Sequence, residues 1–268
     1  MIISSFNIRG LGGSSKLSSL RRLFAGIHPD IVCIQETMSI AAKACSFFLR
    51  LFPGWEVSAI DALGSSGGTL CIWNPKVCDL KAFSMMAGIL LIGHLRGCSY
   101  VCKILNVYGP FKDRAPFWDH FAGNGLLNDH GLLLLGDLNF TLSLTEVWGS
   151  VVWDPLMNYF NSLLREVGLI DLQPVVLGPT WRNGRTSNGG ISKRLVRFLM
   201  VDQLTVAFHR FRVWHVNSMI LDHFSIFLQL EMGDERIVYP FKYNHHWMDY
   251  LEFQPLVRNF WAKDHDLS

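Results

Sequence analysis

Short apolar runs bounded by Gly, Pro and Asn alternate along this chain with stretches whose apolar residues recur every three or four positions. Residues 1–7 alternate weakly and run into Gly10, Gly12 and Gly13, which predicts a strand entering a loop. Leu17, Leu20, Phe24 and Ile27 have the spacing of an amphipathic helix with Arg21 and Arg22 on its wet side. Residues 30–35 follow Pro29 as a short apolar strand, and Glu36 stands at its end. A second helix is expected over 41–51. After Pro53-Gly54 the pattern predicts strands at 55–60, 69–73, 80–85, 89–95 and 100–108. A helix is expected over 116–127 and a buried strand over 132–135, ending in Gly136-Asp137-Leu138-Asn139. A further helix spans 155–167, with Met157, Phe160, Leu163, Leu164 and Val167 on one face. Strands return at 194–201, 212–216 and 224–230.

Helices and strands interleave, but several strands also follow one another directly. That excludes strict βαβ repetition and predicts an α/β (α+β) domain of two packed β-sheets flanked by helices. From Glu231 onward the chain is richer in charge and His, holds Pro240 and Pro255, and has no sheet pattern. A domain of residues 1–232 followed by an extension, 233–268, is therefore expected.

Composition narrows the classes. Apolar residues make up 50% of the 268 residues and charged residues 17%, which excludes a disordered chain. The most apolar stretch, 82–95, is broken by Ser84, Gly88, Gly93 and His94 and falls short of the ~20 residues a spanning helix needs. No basic stretch followed by an apolar core opens the chain, so a reducing intracellular compartment is the default. The six cysteines form no CxxC pair and read as small buried apolar residues rather than zinc ligands. A net charge of +2 is too mild to name a partner. Locally, seven basic residues between Arg182 and Arg212 face one acid, Asp202; they read as a solvated strip or as a phosphate-facing one.

Asn7, Glu36, Tyr108, Asp137, Asn139, Asp222 and His223 all stand where apolar strands end. A rigid sheet fixes such side chains where loops expose them. Singly, each reads as a turn residue, a surface acid or a core-edge ring. Together, carboxylates, amides, a tyrosine and a histidine match a hard-cation site for phosphate chemistry.

These residues sit in ordered motifs: Phe-Asn-Ile-Arg-Gly at 6–10, Ile-Gln-Glu-Thr at 34–37, Ser-Gly-Gly at 66–68 and Asn-Val-Tyr-Gly-Pro at 106–110. Gly-Asp-Leu-Asn at 136–139, Thr-Trp-Arg-Asn at 180–183, Arg-Leu-Val-Arg-Phe-Leu at 194–199 and Asp-His at 222–223 complete the series. The series resembles the endonuclease/exonuclease/phosphatase superfamily, and within it the apurinic-endonuclease-like domain of plant LINE-type (non-LTR) retrotransposons. Residues 239–261 loosely resemble the region leading towards reverse transcriptase. The resemblance implies a four-layer α/β sandwich, nicking of DNA with Mg²⁺ (Mn²⁺ as an alternative), a downstream reverse transcriptase as partner, and a nuclear location. By the same resemblance, Glu36 holds the metal with Asn7 beside it. Asp137 orients or deprotonates the attacking water, Asn139 fixes Asp137 and the phosphate, Tyr108 and His223 contact the phosphate, and Asp222 supports the metal or His223. Arg9, Trp181 and Arg194 are the expected substrate contacts, with a core position the equal alternative for Trp181.

The chain departs from that pattern in three places. Val196 stands where the family usually carries an Asp that hydrogen-bonds the catalytic histidine, and valine offers neither hydrogen bond nor charge. Phe111 replaces a polar residue, often Asn, that binds phosphate. Arg9 replaces the acid of the base-repair relatives and favours the retroelement subgroup. Reduced activity is expected, and a catalytically decayed or non-catalytic nucleic-acid-binding fragment is the alternative. Ser66-Gly67-Gly68 reads as a plain turn.

Overall fold

The computed structural model describes residues 1–64, 66–149, 153–185, 189–208, 210–216, 223–231 and 250–261. The chain divides into two compact units, Met1–Gly233 and Asp234–Ser268. Of the second, the described part holds one helix, α6 (Phe253–Trp261).

The first unit is built on two six-stranded sheets. One contains β1 (Ile2–Asn7), β2 (Ile31–Gln35), β3 (Glu56–Leu63), β4 (Ser66–Trp73), β14 (Arg210–Val216) and β15 (Ser225–Glu231), in the order β14-β15-β1-β2-β4-β3. The other contains β5 (Cys78–Met85), β6 (Gly88–Leu95), β7 (Val101–Tyr108), β8 (Leu132–Asp137), β10 (Leu169–Asp171) and β13 (Val196–Val201), in the order β10-β13-β8-β7-β6-β5. Each sheet has one parallel pair, β1 with β2 and β7 with β8; the other neighbours run antiparallel. Both members of a parallel pair end at the same edge of their sheet.

The sheets share a core in which Ile3, Ile31, Cys33 and Cys71 join Leu91, Ile104, Leu133 and Phe198. Strands β2 and β8 are buried along their whole length, which is why they read as continuous apolar runs rather than as alternation. Outside the first sheet lie α1 (Ser14–Ile27) and α2 (Ala41–Leu49). Their Leu20, Phe24, Phe47 and Phe48 bury against Phe6, Val32, Ile34 and Ile72. Burying a side chain of that size stabilises the fold by about 1.5–3 kcal/mol. Helix α1 stops at His28, whose left-handed backbone caps it just before Pro29. Helices α3 (Arg114–Gly123) and α4 (Met157–Glu166) supply Trp118, Phe121, Phe160 and Leu164 to the core that includes the second sheet.

The two packed sheets with flanking helices are those expected, and the differences are local. The helix expected over 116–127 ends at Gly123, and Gly125 at φ 71 separates it from a short 3-10 turn, Leu126–Asn128. The short helix α5 (Asp202–Ala207) and the three-stranded sheet of β9 (Val147–Gly149), β11 (Trp181–Arg182) and β12 (Ile191–Lys193) carry no periodic signal, being too short to repeat. All six cysteines are free thiols. No helix among the described residues is long and apolar enough to cross a membrane.

Candidate active site

The two parallel pairs build the site. Asn7 ends β1 and stands opposite Gln35, with Glu36 following; Tyr108 ends β7 directly opposite Asp137 at the end of β8. Facing of the two sheets brings these four strand ends together. A buried polar chain lies beneath them: Gln35 Nε2 donates to Ser5 Oγ at 3.1 Å and to Asn106 Oδ1 at 2.7 Å, and Asn106 Nδ2 donates to the carbonyls of Ile34 and Leu70. Such a chain fixes the register of one sheet over the other, because a slip would leave buried polar atoms unpaired.

Asp137 is the centre. Asn7 Nδ2 donates to Asp137 Oδ2 at 2.9 Å, and Asn7 Oδ1 accepts the Arg9 backbone N–H at 2.9 Å. His223 Nδ1 lies 3.8 Å from the same Oδ2. Asp137 is 1% exposed, and its other oxygen, Oδ1, has no hydrogen-bond partner among the described residues; the same holds for His223 Nδ1. Burial raises the Asp137 pKa above the usual carboxylate value; His223 and the Asn7 amide oppose that rise, and the charge on Glu36 adds to it. The Tyr108 hydroxyl donates to Glu36 Oε1. Burial and that carboxylate hold the phenol in its protonated form, well above its ordinary range. Asn139 Nδ2 donates to the Gly109 carbonyl at 2.7 Å, and the Gly109 N–H donates to the Asp137 carbonyl at 2.8 Å.

Arg9, Glu36, Met38 and Asn139 have left-handed backbones, with φ of 45, 53, 47 and 55°. Non-glycine residues adopt this region at a cost, and such residues cluster at functional sites. The Glu36 bend is held by β4: the N–H groups of Thr37 and Met38 donate to the carbonyls of Gly68 and Gly67. Gly68 has φ 79°, and a Cβ there would lie 2.3 Å from Thr37 Oγ1. The turn reading of Ser66-Gly67-Gly68 therefore understates it. These residues open β4, and the glycines position the loop that carries Glu36.

A cleft of about 520 Å³ opens over this centre, lined by Arg9, Glu36, Tyr108, Asp137, Asn139, Trp181 and His223 among others. Asn7 is fully buried beneath it. Asp222 lies outside the described residues. Arg194 requires a correction: it is not at the cleft. It is 2% exposed and its guanidinium is consumed by Glu146 and Asp171, which also hold the buried Arg197. The basic strip is thus not one surface. Arg194 and Arg197 are interior, Arg182 stacks over Phe224, Arg212 lies over Trp214, and Lys193 lines the cleft.

Several site-building residues had no mark in the sequence. Arg114 clamps Asp154 with two bonds of 2.7 and 2.8 Å and donates to the Asn139 carbonyl at 3.0 Å. Thr180 Oγ1 accepts the N–H groups of Leu195 and Val196, and its carbonyl accepts the Phe224 N–H, tying β13 to the residue after His223. Only the fold makes such distant residues neighbours.

Among the described residues, no group of three or more His, Cys, Asp or Glu side chains is arranged to hold a metal ion. The donors present nevertheless suit a hard cation. Glu36 and Asp137 supply carboxylate oxygens beside one another, and the unpartnered, buried Asp137 Oδ1 is the kind of atom a cation or its waters satisfy. The remaining coordination would come from water and substrate.

Carboxylates, amides, a tyrosine and a histidine converging at paired parallel strand ends define a site of the phosphoester-hydrolase class. Residues 4–192 match the Endonuclease/Exonuclease/phosphatase family, and the chain belongs to that family. The fold is similar to that of the endonuclease domain of TRAS1, a telomere-specific non-LTR retrotransposon, at 16% identity and a TM-score of 0.62, covering 85% of this chain and 97% of that one. It is also similar to the 3′-5′ exonuclease NExo of Neisseria meningitidis (19% identity, TM-score 0.64, 86% and 100% covered). The AP endonuclease LMAP of Leishmania major gives 15% identity and a TM-score of 0.67, with 85% and 87% covered. No curated protein sequence matches the chain.

Proposed function

We propose that this chain is a DNA endonuclease that nicks one strand with a divalent cation, Mg²⁺ by preference, and that it serves a non-LTR retroelement in the nucleus alongside a downstream reverse transcriptase. The observation that carries the reading is the Asp137 carboxylate, anchored by Asn7 through one oxygen and without a partner among the described residues at the other. That is the arrangement a general base needs: fixed orientation on one side, a buried acceptor with its lone pairs unspent on the other.

Glu36, with Asp137 beside it, would hold the cation, which supplies positive charge against the phosphate oxygens as the attack proceeds. Asp137 Oδ1 takes a proton from the attacking water. Burial that raises the Asp137 pKa makes it a better acceptor. His223 donates a ring N–H to a non-bridging oxygen, meeting charge that develops there. The Tyr108 hydroxyl, kept protonated, gives its one O–H to Glu36 and so fixes that carboxylate beside the phosphate. Asn139 and Arg9 complete the polar wall.

Nicking of supercoiled plasmid by the full chain tests this, with EDTA and Glu36→Ala as parallel lanes. Metal-dependent nicking that disappears with Glu36→Ala supports the reading; metal-independent nicking that survives Glu36→Ala sinks it.

One observation favours a second reading. Val196 is 1% exposed and sits directly opposite Asp137 in the β13–β8 register, so it shares that sheet face, yet it can give His223 no hydrogen bond. A decayed enzyme that still binds nucleic acid would look the same. Binding of DNA without cleavage at high protein concentration selects it.

A further inference from the structure

Two large aromatic side chains stand in solvent at the mouth of the cleft. Phe111 is 82% exposed and Trp153 is 55% exposed, and both line the same cavity as Glu36 and Asp137. Exposed apolar surface rimmed by polar residues is a mark of ligand-binding grooves. Both stand beside backbone held by specific contacts. Phe111 follows Gly109 by two residues, and Gly109 is packed so closely on the chain that a Cβ there would lie 2.4 Å from the Leu138 carbonyl oxygen. Trp153 precedes Asp154, whose carboxylate is clamped by Arg114, accepts the Leu156 N–H at 3.0 Å, and is joined through Arg114 to the Asn139 carbonyl. The backbones beside both rings are therefore tied to the same residue, Asn139, through Gly109 and through Arg114.

We infer that Phe111 and Trp153 form a stacking rim for nucleobases flanking the scissile phosphate, and that the preferred substrate is DNA whose bases are unpaired at the cut. The inference rests on the nuclease reading above. A base in continuous duplex offers its faces to its neighbours in the stack. A side chain outside the helix can take a base face only where the stack is already open or is opened at a cost. Phe111 offers the phosphate backbone no polar group and presents an apolar surface to the cleft instead. Lys193 and Arg9 in the same cleft supply charge for the backbone, while the rings take the bases.

The test compares two oligonucleotide duplexes of one sequence, one fully paired and one with a short mismatch bubble at the cut. Binding is measured in EDTA and cleavage in Mg²⁺, with the original chain, Phe111→Ala, Trp153→Ala and Phe111→Tyr. The original chain should bind and cut the bubble better. Each alanine variant should weaken bubble binding by about 5- to 150-fold, the loss of one stacked base, and the bubble-to-duplex ratio of kcat/KM should fall towards one. Phe111→Tyr should restore most of the preference, since it keeps the ring. Equal binding of the two duplexes, or alanine variants that keep the preference, overturns the inference. So does loss of sedimentation with anionic lipid vesicles in the same variants without any bubble preference, which would assign the rim to a membrane surface. Bubble-selective binding lost in the alanine variants, with no cleavage of either duplex, would leave the rim standing and bring down the nuclease reading alone.

Discussion

Asn7 and Asp137, 130 residues apart in sequence, are joined by a 2.9 Å hydrogen bond that runs from the first strand of one sheet to the end of a central strand of the other. It spans the sandwich at the candidate active site. The carboxylate it holds is buried, and its pKa is raised chiefly by that burial, so the native state favours the protonated acid more than the unfolded chain does. Stability from that preference is full below the unfolded carboxylate pKa and is lost as pH rises through the higher folded value. At neutral pH the charge therefore burdens the fold.

Asp137→Asn should abolish nicking, and in EDTA at neutral pH its melting temperature should be equal to or above that of the original chain. The amide keeps an oxygen for Asn7 Nδ2 and removes the buried charge. A lower melting temperature would mean that the ionised carboxylate stabilises the fold.

Val196→Asp should raise nicking by a factor between about 10 and 10⁴, the range spanned by losing an outer partner of a metal site and losing the acid behind a catalytic histidine. The new carboxylate would stand opposite Asp137, whose Oδ2 lies 3.8 Å from His223 Nδ1. Plasmid nicking measures it, with circular dichroism to show that the variant is folded. No gain in a folded variant would place the limiting defect elsewhere.

Glu146 sets an acid limit on stability. Burial alone would raise its pKa, but Arg197 and then Arg194 outweigh that and bring it down to about 2. Its contribution is present above the unfolded value near 4.5 and is lost as pH falls from there towards about 2, a loss on the order of 3 kcal/mol. Glu146→Gln should cost about 3–5 kcal/mol at neutral pH, because Arg197 keeps its buried charge with one carboxylate fewer. Urea unfolding at neutral and acid pH checks both, and the variant should show the shallower acid dependence.

Gly68→Ala should lower stability by about 1–2 kcal/mol and cut activity more than that loss explains. The added methyl meets Thr37, one residue from Glu36, at a backbone angle alanine resists. Ala62→Gly, which leaves Thr37 untouched, serves as the control for activity.

Most elements were legible in the sequence, because their signals are local. A period of two, or of three to four, is visible within one strand or helix, and the apolar runs of β2 and β8 already announced strands buried on both faces. The strand-end positions of Glu36, Tyr108, Asp137, Asn139 and His223 followed from the same runs. What tertiary structure decided is which ends meet. Asn7 reaches Asp137, and Tyr108 reaches Glu36, only because two parallel pairs in separate sheets end at one edge of the sandwich. Arg194 shows the converse. Its place in a basic stretch suggested a surface contact, yet Glu146 and Asp171 draw it inside, an attraction between residues 48 and 23 positions away that no local pattern carries. Local periodicity records which face of an element is apolar. Pairing across the sandwich depends on how whole sheets stack, and that is settled by the burial of all their faces at once.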